Sequence, residues 1–377
     1  MNHNFSIILD CFRWVSALLV LLGHARAFYF PPYPELSAPG LFDRIFYLVT
    51  GLGHQAVMVF FVMSGYLIGM HVIEAMRRQK FHWRDYISKR IARIYPVLLV
   101  ALVLGASFDL AGLGVAGDAS VYTVEPEVSP VGVVNYSIED RLSWGTFVGN
   151  VFLLNGLVCS PLGSNGPLWS LSMEWFYYLI FPCLCLSLFG WRQRGWLGHV
   201  GWLSLLGLFA WCLPTQYHLY FVIWLAGILI GYLRLPFWSS ILFGALFVYS
   251  LLWSRLGNWS QLWEDYYIAI AFILLLCALS RCPITLPFER LHRWMAGFSY
   301  SLYVLHFPLL VLIFALAEQS LGKDRSVMMN YSLYFGSVLL SCALSYCVSL
   351  LTEAKTGDFR RYSRAVIDYV TGSSRAS

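Results

Sequence analysis

Long runs of apolar residues alternate with short charged stretches along the whole chain. They fall at 7–27, 51–73, 94–112, 167–189, 197–213, 217–233, 237–254, 266–280, 297–317 and 331–352. Most approach the roughly 20 residues that a helix needs to cross a bilayer. The pattern predicts an all-α membrane protein, with about ten transmembrane helices in one bundle. Residues 1–352 form one membrane domain on this reading, and 353–377 form a basic cytoplasmic tail. The segment 146–158 is apolar but short, which suggests a re-entrant or interfacial piece rather than a further crossing.

Composition agrees with the pattern. Of 377 residues, 59% are apolar and 12% are charged. Soluble domains carry about 25% charged residues, so this chain has too few to wet its own surface. The cysteines show no CxxC pair and no His/Cys cluster with zinc-ligand spacing, so no metal site is expected. No internal repeat is found, nor any basic–aromatic pattern of the kind that binds nucleic acid. Ala25-Arg26-Ala27 imitates a signal-peptide cleavage site, but residues 1–12 contain no Lys or Arg, so the first span is expected to be retained.

The placement of charge sets the expected orientation. Segment 74–93 holds Arg77, Arg78, Lys80, Arg84, Lys89, Arg90 and Arg93, which puts it in the cytoplasm by the positive-inside rule. Both termini are then cytoplasmic. Eighteen Lys and Arg fall on the cytoplasmic side of a ten-span arrangement and six outside, with Arg13 inside the first span. The long loop 113–166 faces outside and carries Asp118, Glu125, Glu127, Glu139 and Asp140 against one Arg141.

Ionisable groups inside spans carry the chemical signal, because each is costly in lipid unless paired or facing water. In the first span Asp10, Arg13 and His24 fall on one stripe. Arg13 and His24 are eleven residues apart, which is about three helical turns, or roughly 16 Å. That spacing suits an elongated ligand with an anionic end at Arg13 and a reactive end at His24. The alternative pairs Arg13 with Asp10 and gives His24 a backbone carbonyl. Arg90 and Arg93 share a helix face with Lys89 alongside, two guanidinium forks fit for phosphate. Ordinary positive-inside flanking is the alternative there. Glu174 stands well inside the fourth span, either to orient an imidazole or bind an acceptor, or as a carboxylate tying helices together. Tyr303 and His306, with Ser299 and Ser301 just before them, are pore-lining candidates in the ninth span. Ser64 is a further substrate or pore candidate, with close helix approach at Ser64-Gly65 as the structural alternative to nucleophilic use.

These blocks resemble the acyltransferase-3 family of membrane proteins. LDCFRWVSALLVLLGH carries the family's Arg-x10-His as Arg13 and His24, and YISKRIARIYP carries its Arg-x-x-Arg as Arg90 and Arg93. VFFVMSGYLIG (59–69), GPLWSLSMEWFYYLIFP (166–182) and FSYSLYVLHFPLL (298–310) complete the set in family order, from residue 9 to about 350. His54 and Gln55 stand where many members have a plainer Gly-Val-rich stretch. The resemblance implies transfer of an acyl group, usually acetyl, from cytosolic acyl-CoA to a hydroxyl on an extracytoplasmic acceptor. The expected partners are acetyl-CoA as co-substrate, an envelope polysaccharide or its lipid-linked precursor, and membrane lipids. The expected location is the bacterial cytoplasmic (inner) membrane.

On that basis Arg90 and Arg93, helped by Arg13, are expected to bind the nucleotide phosphates. His24 is expected to act as general base, with direct attack on the thioester as the alternative. Two rival functions stand beside this one. An acyltransferase acting on a lipid or small diffusible molecule would use the same residues. A secondary transporter would also place charges in spans, but it predicts symmetry between halves that the sequence lacks.

The orientation is open to a direct check. Cysteines introduced as Asp118→Cys and Asp140→Cys should react with an impermeant thiol reagent added outside intact cells, above the background of the parent chain. Protection at both positions would invert the topology.

Overall fold

The computed structural model describes residues 2–115, 120–122, 132–189, 191–257, 260–283 and 285–370. Asp118, Glu125 and Glu127 of the long loop, and Arg375 of the tail, lie outside the described residues. Among those residues the chain forms fourteen α-helices and no strand. They are α1 (His3–Tyr29), α2 (Leu41–Thr50), α3 (Gly53–Arg77), α4 (Trp83–Val115), α5 (Trp144–Val151), α6 (Trp169–Phe189) and α7 (Trp191–Cys212). There follow α8 (Thr215–Ala226), α9 (Ser240–Leu256), α10 (Gln261–Leu279), α11 (Glu289–Gly297), α12 (Ser299–Leu321), α13 (Val327–Leu351) and α14 (Thr356–Val370).

Each expected span falls on one of these helices. Eight are long and apolar enough to cross a membrane. The fifth and sixth expected spans fall on shorter apolar pieces, Val200–Cys212 and Thr215–Gly231. The molecule is a multi-pass membrane protein. Its apolar residues are not all inside: Ile241, Leu242, Val248, Tyr249 and Leu256 of α9 are exposed, as expected where the surrounding solvent is hydrocarbon. Hydropathy overlooked α2, α11 and α14 because each is short and strongly two-faced. On α2, for instance, Leu41, Phe42, Ile45 and Val49 are exposed while Tyr47 and Thr50 are buried. Such helices suit an interface.

The chain divides into two compact units. One comprises Met1–Phe12, Val57–Trp83 and Ser170–Glu289. Its core joins α3, α6, α8 and α10 around Trp224, Tyr177 and Phe272, all fully buried. Helix approach there depends on Gly65, since a Cβ at that position would overlap the Trp224 carbonyl. Small residues at a crossing are how helices associate where lipid supplies no hydrophobic drive.

The other unit comprises Arg13–Ala56, Arg84–Trp169 and Arg290–Ser377. Gly23 of α1 packs so closely that a Cβ would stand 2.7 Å from the Thr50 carbonyl oxygen. Helix α12 ends at Gly322, whose φ of 72° stops the helix, and Ser326 begins α13 by accepting from the Met329 N–H at 3.2 Å.

The described part of 113–166 is far from a plain outer loop. Helix α5 is eight residues long, too short to cross, and beyond it Leu162, Ser164 and Asn165 are buried. The anchor is Asp109, fully buried on α4. Its Oδ2 accepts from the Ser164 N–H at 2.8 Å and its Oδ1 accepts from the Tyr122 hydroxyl at 3.3 Å. Tyr136 donates to the Ser164 carbonyl at 2.8 Å. Within the hydrocarbon of a bilayer, non-helical backbone is tolerated only where it is buried in protein or lines a water-filled cavity. Asp109 is a lone acid in an expected span, and the charge survey by sequence passed over it.

Asp109→Ala strands the Ser164 N–H and the Tyr122 hydroxyl. Each stranded group costs about 1–3 kcal/mol, so the variant should melt several degrees lower in detergent. An unchanged melting temperature would show that Asp109 does not hold this segment.

Candidate active site

The second unit brings most of the expected chemistry together. Arg13 and His24 belong to one uninterrupted helix, α1, so their separation of roughly 16 Å along it stands as read from the sequence. The His24 ring turns inward, toward α12. It lies parallel to the His306 ring, with centroids 5.1 Å apart and 8° between planes, and edge-on to Phe307 at 4.9 Å. A hydrogen bond of 2.8 Å joins His24 Nδ1 to His306 Nε2. The second nitrogen of His306, Nδ1, meets the Leu302 carbonyl at 3.0 Å. His306 is buried, whereas His24 is part-exposed.

Helix α12 can hold this pair because its own irregularity is repaired. Pro308 lies inside the helix and has no N–H to give the Val304 carbonyl. The side-chain amide of Asn165 donates to that carbonyl at 2.9 Å instead. One residue back, the Tyr303 hydroxyl donates to the Pro167 carbonyl at 3.0 Å. Tyr303, expected as a pore-lining candidate, here fastens the segment before α6 to α12. His54, noted for its unusual position, lies parallel to Trp169 at 6.4 Å. Sequence reasoning missed Asn165. Its one signal was a Pro–Asn pairing across well over a hundred residues, which spacing cannot reveal.

About three turns of α1 from His24 lies a cluster of charge. Arg93 of α4 faces Glu353, with Nη1 3.6 Å from Oε1. Arg13 is within electrostatic reach of the same carboxylate. Oε2 of Glu353 accepts from the Ser301 hydroxyl at 2.5 Å and from the Ser301 N–H at 3.1 Å. A buried acid therefore sits at the start of α12, where the positive end of a helix dipole favours it. The Arg93 guanidinium lies 5.8 Å from the Tyr300 ring and that of Arg90 lies 5.7 Å from the Tyr86 ring. Lys89, expected beside the two arginines, instead pairs with Asp85 at 2.8 Å, as does Arg360 of α14. Glu353 was read from sequence as the first residue of a tail. Its only mark there is an acid directly after the last apolar run.

Two expected residues belong to the other unit. Glu174 Oε1 accepts from the Tyr178 hydroxyl at 2.6 Å, one helical turn along α6. Ser64 accepts from Trp224 Nε1 at 3.1 Å and exchanges a hydrogen bond of 3.3 Å with Tyr178. Trp224, Ser64, Tyr178 and Glu174 thus form one continuous polar chain within that unit.

Comparison with known proteins adds a family. Residues 7–353 match the family described as an acyltransferase domain. Among curated proteins, "Acyltransferase MdmB" of Streptomyces mycarofaciens is 29% identical over 173 residues, which is 45% of this chain and 36% of that protein. "O-acetyl transferase" of Shigella phage Sf6 is 29% identical over 171 residues, covering 45% and 43%. An uncharacterized protein of Haemophilus influenzae is 28% identical over 130 residues, covering 34% and 47%. The matched stretch thus spans less than half the length of each of these relatives. No solved structure matches the chain significantly. The match runs from the start of α1 to Glu353 and so encloses both histidines, the arginine pair and the buried acid: the chain belongs to the acyltransferase-3 family.

Proposed function

We propose that this protein is a membrane O-acyltransferase that takes an acyl group, acetyl in the simplest case, from cytosolic acyl-CoA. It passes that group to a hydroxyl of an extracytoplasmic envelope polysaccharide or its lipid-linked precursor. The observation that carries the reading is the His24 imidazole, turned inward and held by His306, on the same helix as Arg13 and about three turns from the Arg93–Glu353 cluster. The relatives named acyltransferase and O-acetyl transferase support the reaction class.

Acyl-CoA is polyanionic and cannot enter lipid, whereas its pantetheine arm is thin and nearly neutral. Arg90 and Arg93, with Arg13, would hold the phosphates at one end of α1 through charge-assisted hydrogen bonds, roughly twice as strong as neutral ones. The arm would then run along α1 and bring the thioester to His24. His24 Nε2 takes the proton of the acceptor hydroxyl as its oxygen attacks the thioester carbonyl. The C–S bond breaks and the departing thiolate recovers that proton, leaving the ester and free CoA. An acyl-histidine intermediate would use the same ring as nucleophile. The excess of Lys and Arg in 74–93 supports an orientation with the Arg90/Arg93 end facing the cytosol.

His24→Ala should leave the protein in the membrane and abolish alkali-labile acyl esters on envelope glycan isolated from cells that depend on it. Retained esters would refute the assignment. Arg90→Ala combined with Arg93→Ala removes two charge-assisted contacts of about 1.5–3 kcal/mol each. The KM for acetyl-CoA should rise at least about tenfold, and an unchanged KM would remove these arginines from the donor site.

A further inference from the structure

We infer that His306 is the positioning residue that fixes the protonation pattern of His24, and that it supports the imidazolium formed when His24 accepts a proton. This rests on the reading of His24 as general base.

Donor and acceptor identities fix both tautomers. The Leu302 carbonyl can accept but cannot donate, so the 3.0 Å contact places a proton on His306 Nδ1. A neutral imidazole has one N–H, which makes His306 Nε2 a lone-pair acceptor. The 2.8 Å contact to His24 Nδ1 then requires the N–H to be on His24. By the same rule His24 Nε2 carries a lone pair. The hydrogen-bonded chain from Leu302 through His306 to His24 therefore leaves one nitrogen in base form, on the less buried of the two residues.

The orientation is fixed as well as the tautomer. The two rings lie 8° from parallel, and Phe307 packs edge-on against His24. When Nε2 takes the acceptor's proton, His24 becomes a cation whose Nδ1–H still donates to His306 Nε2. That bond changes from neutral to charge-assisted and strengthens as the reaction proceeds. An interaction that is stronger in the transition state than in the bound substrate raises kcat and leaves KM alone. This assigns His306 an effect that general structural support would not produce.

Three substitutions separate the possibilities. His306→Gln places a carbonyl oxygen near the former Nε2, so it can still accept from His24. His306→Asn has the same chemistry but too little reach, and His306→Met fills the space with no acceptor. Each variant is assayed as detergent-solubilised full-length protein, with acetyl-CoA and envelope polysaccharide from a strain lacking this chain, by release of free CoA thiol. Met and Asn should lower kcat by about tenfold to a hundredfold, with KM for acetyl-CoA within about twofold. Gln should recover to within about threefold of the parent. Equal losses in Gln and Asn, a normal kcat in Met, or a loss confined to KM would each overturn the inference.

Carbethoxylation by diethyl pyrocarbonate offers a reading on the unaltered protein. His24 should be modified and His306, engaged at both nitrogens, should not; modification of His306 before His24 would also overturn it. His24→Ala run alongside keeps the two proposals apart. An active His24→Ala sinks the general base itself, whereas an inactive His24→Ala beside a fully active His306→Met sinks only the role of His306.

Discussion

A polar group inside a lipid-embedded bundle is costly unless it is paired or faces water, so the buried ones need partners. The hydrogen bond between His24 and His306 is where this constraint meets the proposed chemistry. Two imidazoles meet, each able to donate or accept, and the fixed character of the Leu302 carbonyl decides which does which. The same constraint explains Asp109, whose oxygens take the Ser164 N–H and the Tyr122 hydroxyl. It also explains Glu353, which is buried yet surrounded by Arg93, Ser301 and the field of Arg13. In each case one element holds the demanding group and a distant stretch of chain supplies its partner.

Glu353 gives the arginine cluster a second property. An acid among arginines lowers the local positive charge, which weakens the pull on an anion, but it also restrains long side chains that would otherwise be ordered only on binding. Lys89 is withdrawn from the cluster by Asp85, with Arg360 completing the arrangement. The cationic group proposed for phosphate is thus narrower than the count of basic residues in 74–93 suggests. Guanidinium forks, with their planar and bidentate geometry, suit that selection better than an ammonium.

Legibility followed the range of the interactions. Ten apolar runs all became helices because length and hydropathy are local properties, and Arg13 with His24 on one face was readable because α1 is a single continuous helix. The amphipathic helices α2, α11 and α14 escaped because averaging across a short two-faced segment cancels its signal. Glu353 and Asn165 escaped for a different reason: each acquires its meaning from a partner far along the chain, Arg93 in one case and Val304 in the other. Glu174 and Ser64 were visible as types. The Tyr178 and Trp224 contacts that define their surroundings came only with the fold.

Pro308 shows how far one backbone defect reaches. A proline in mid-helix frees the carbonyl four residues earlier, and in lipid a freed carbonyl must find a donor. Asn165 supplies it to Val304, and Tyr303 answers by donating to Pro167. These two bonds pull the irregular segment before α6 onto α12 within one turn of His306. A helix without the proline would satisfy its own backbone and would have no use for the Asn165 amide. The irregularity that lipid ordinarily penalises is therefore what fastens the inserted segment beside the histidine pair.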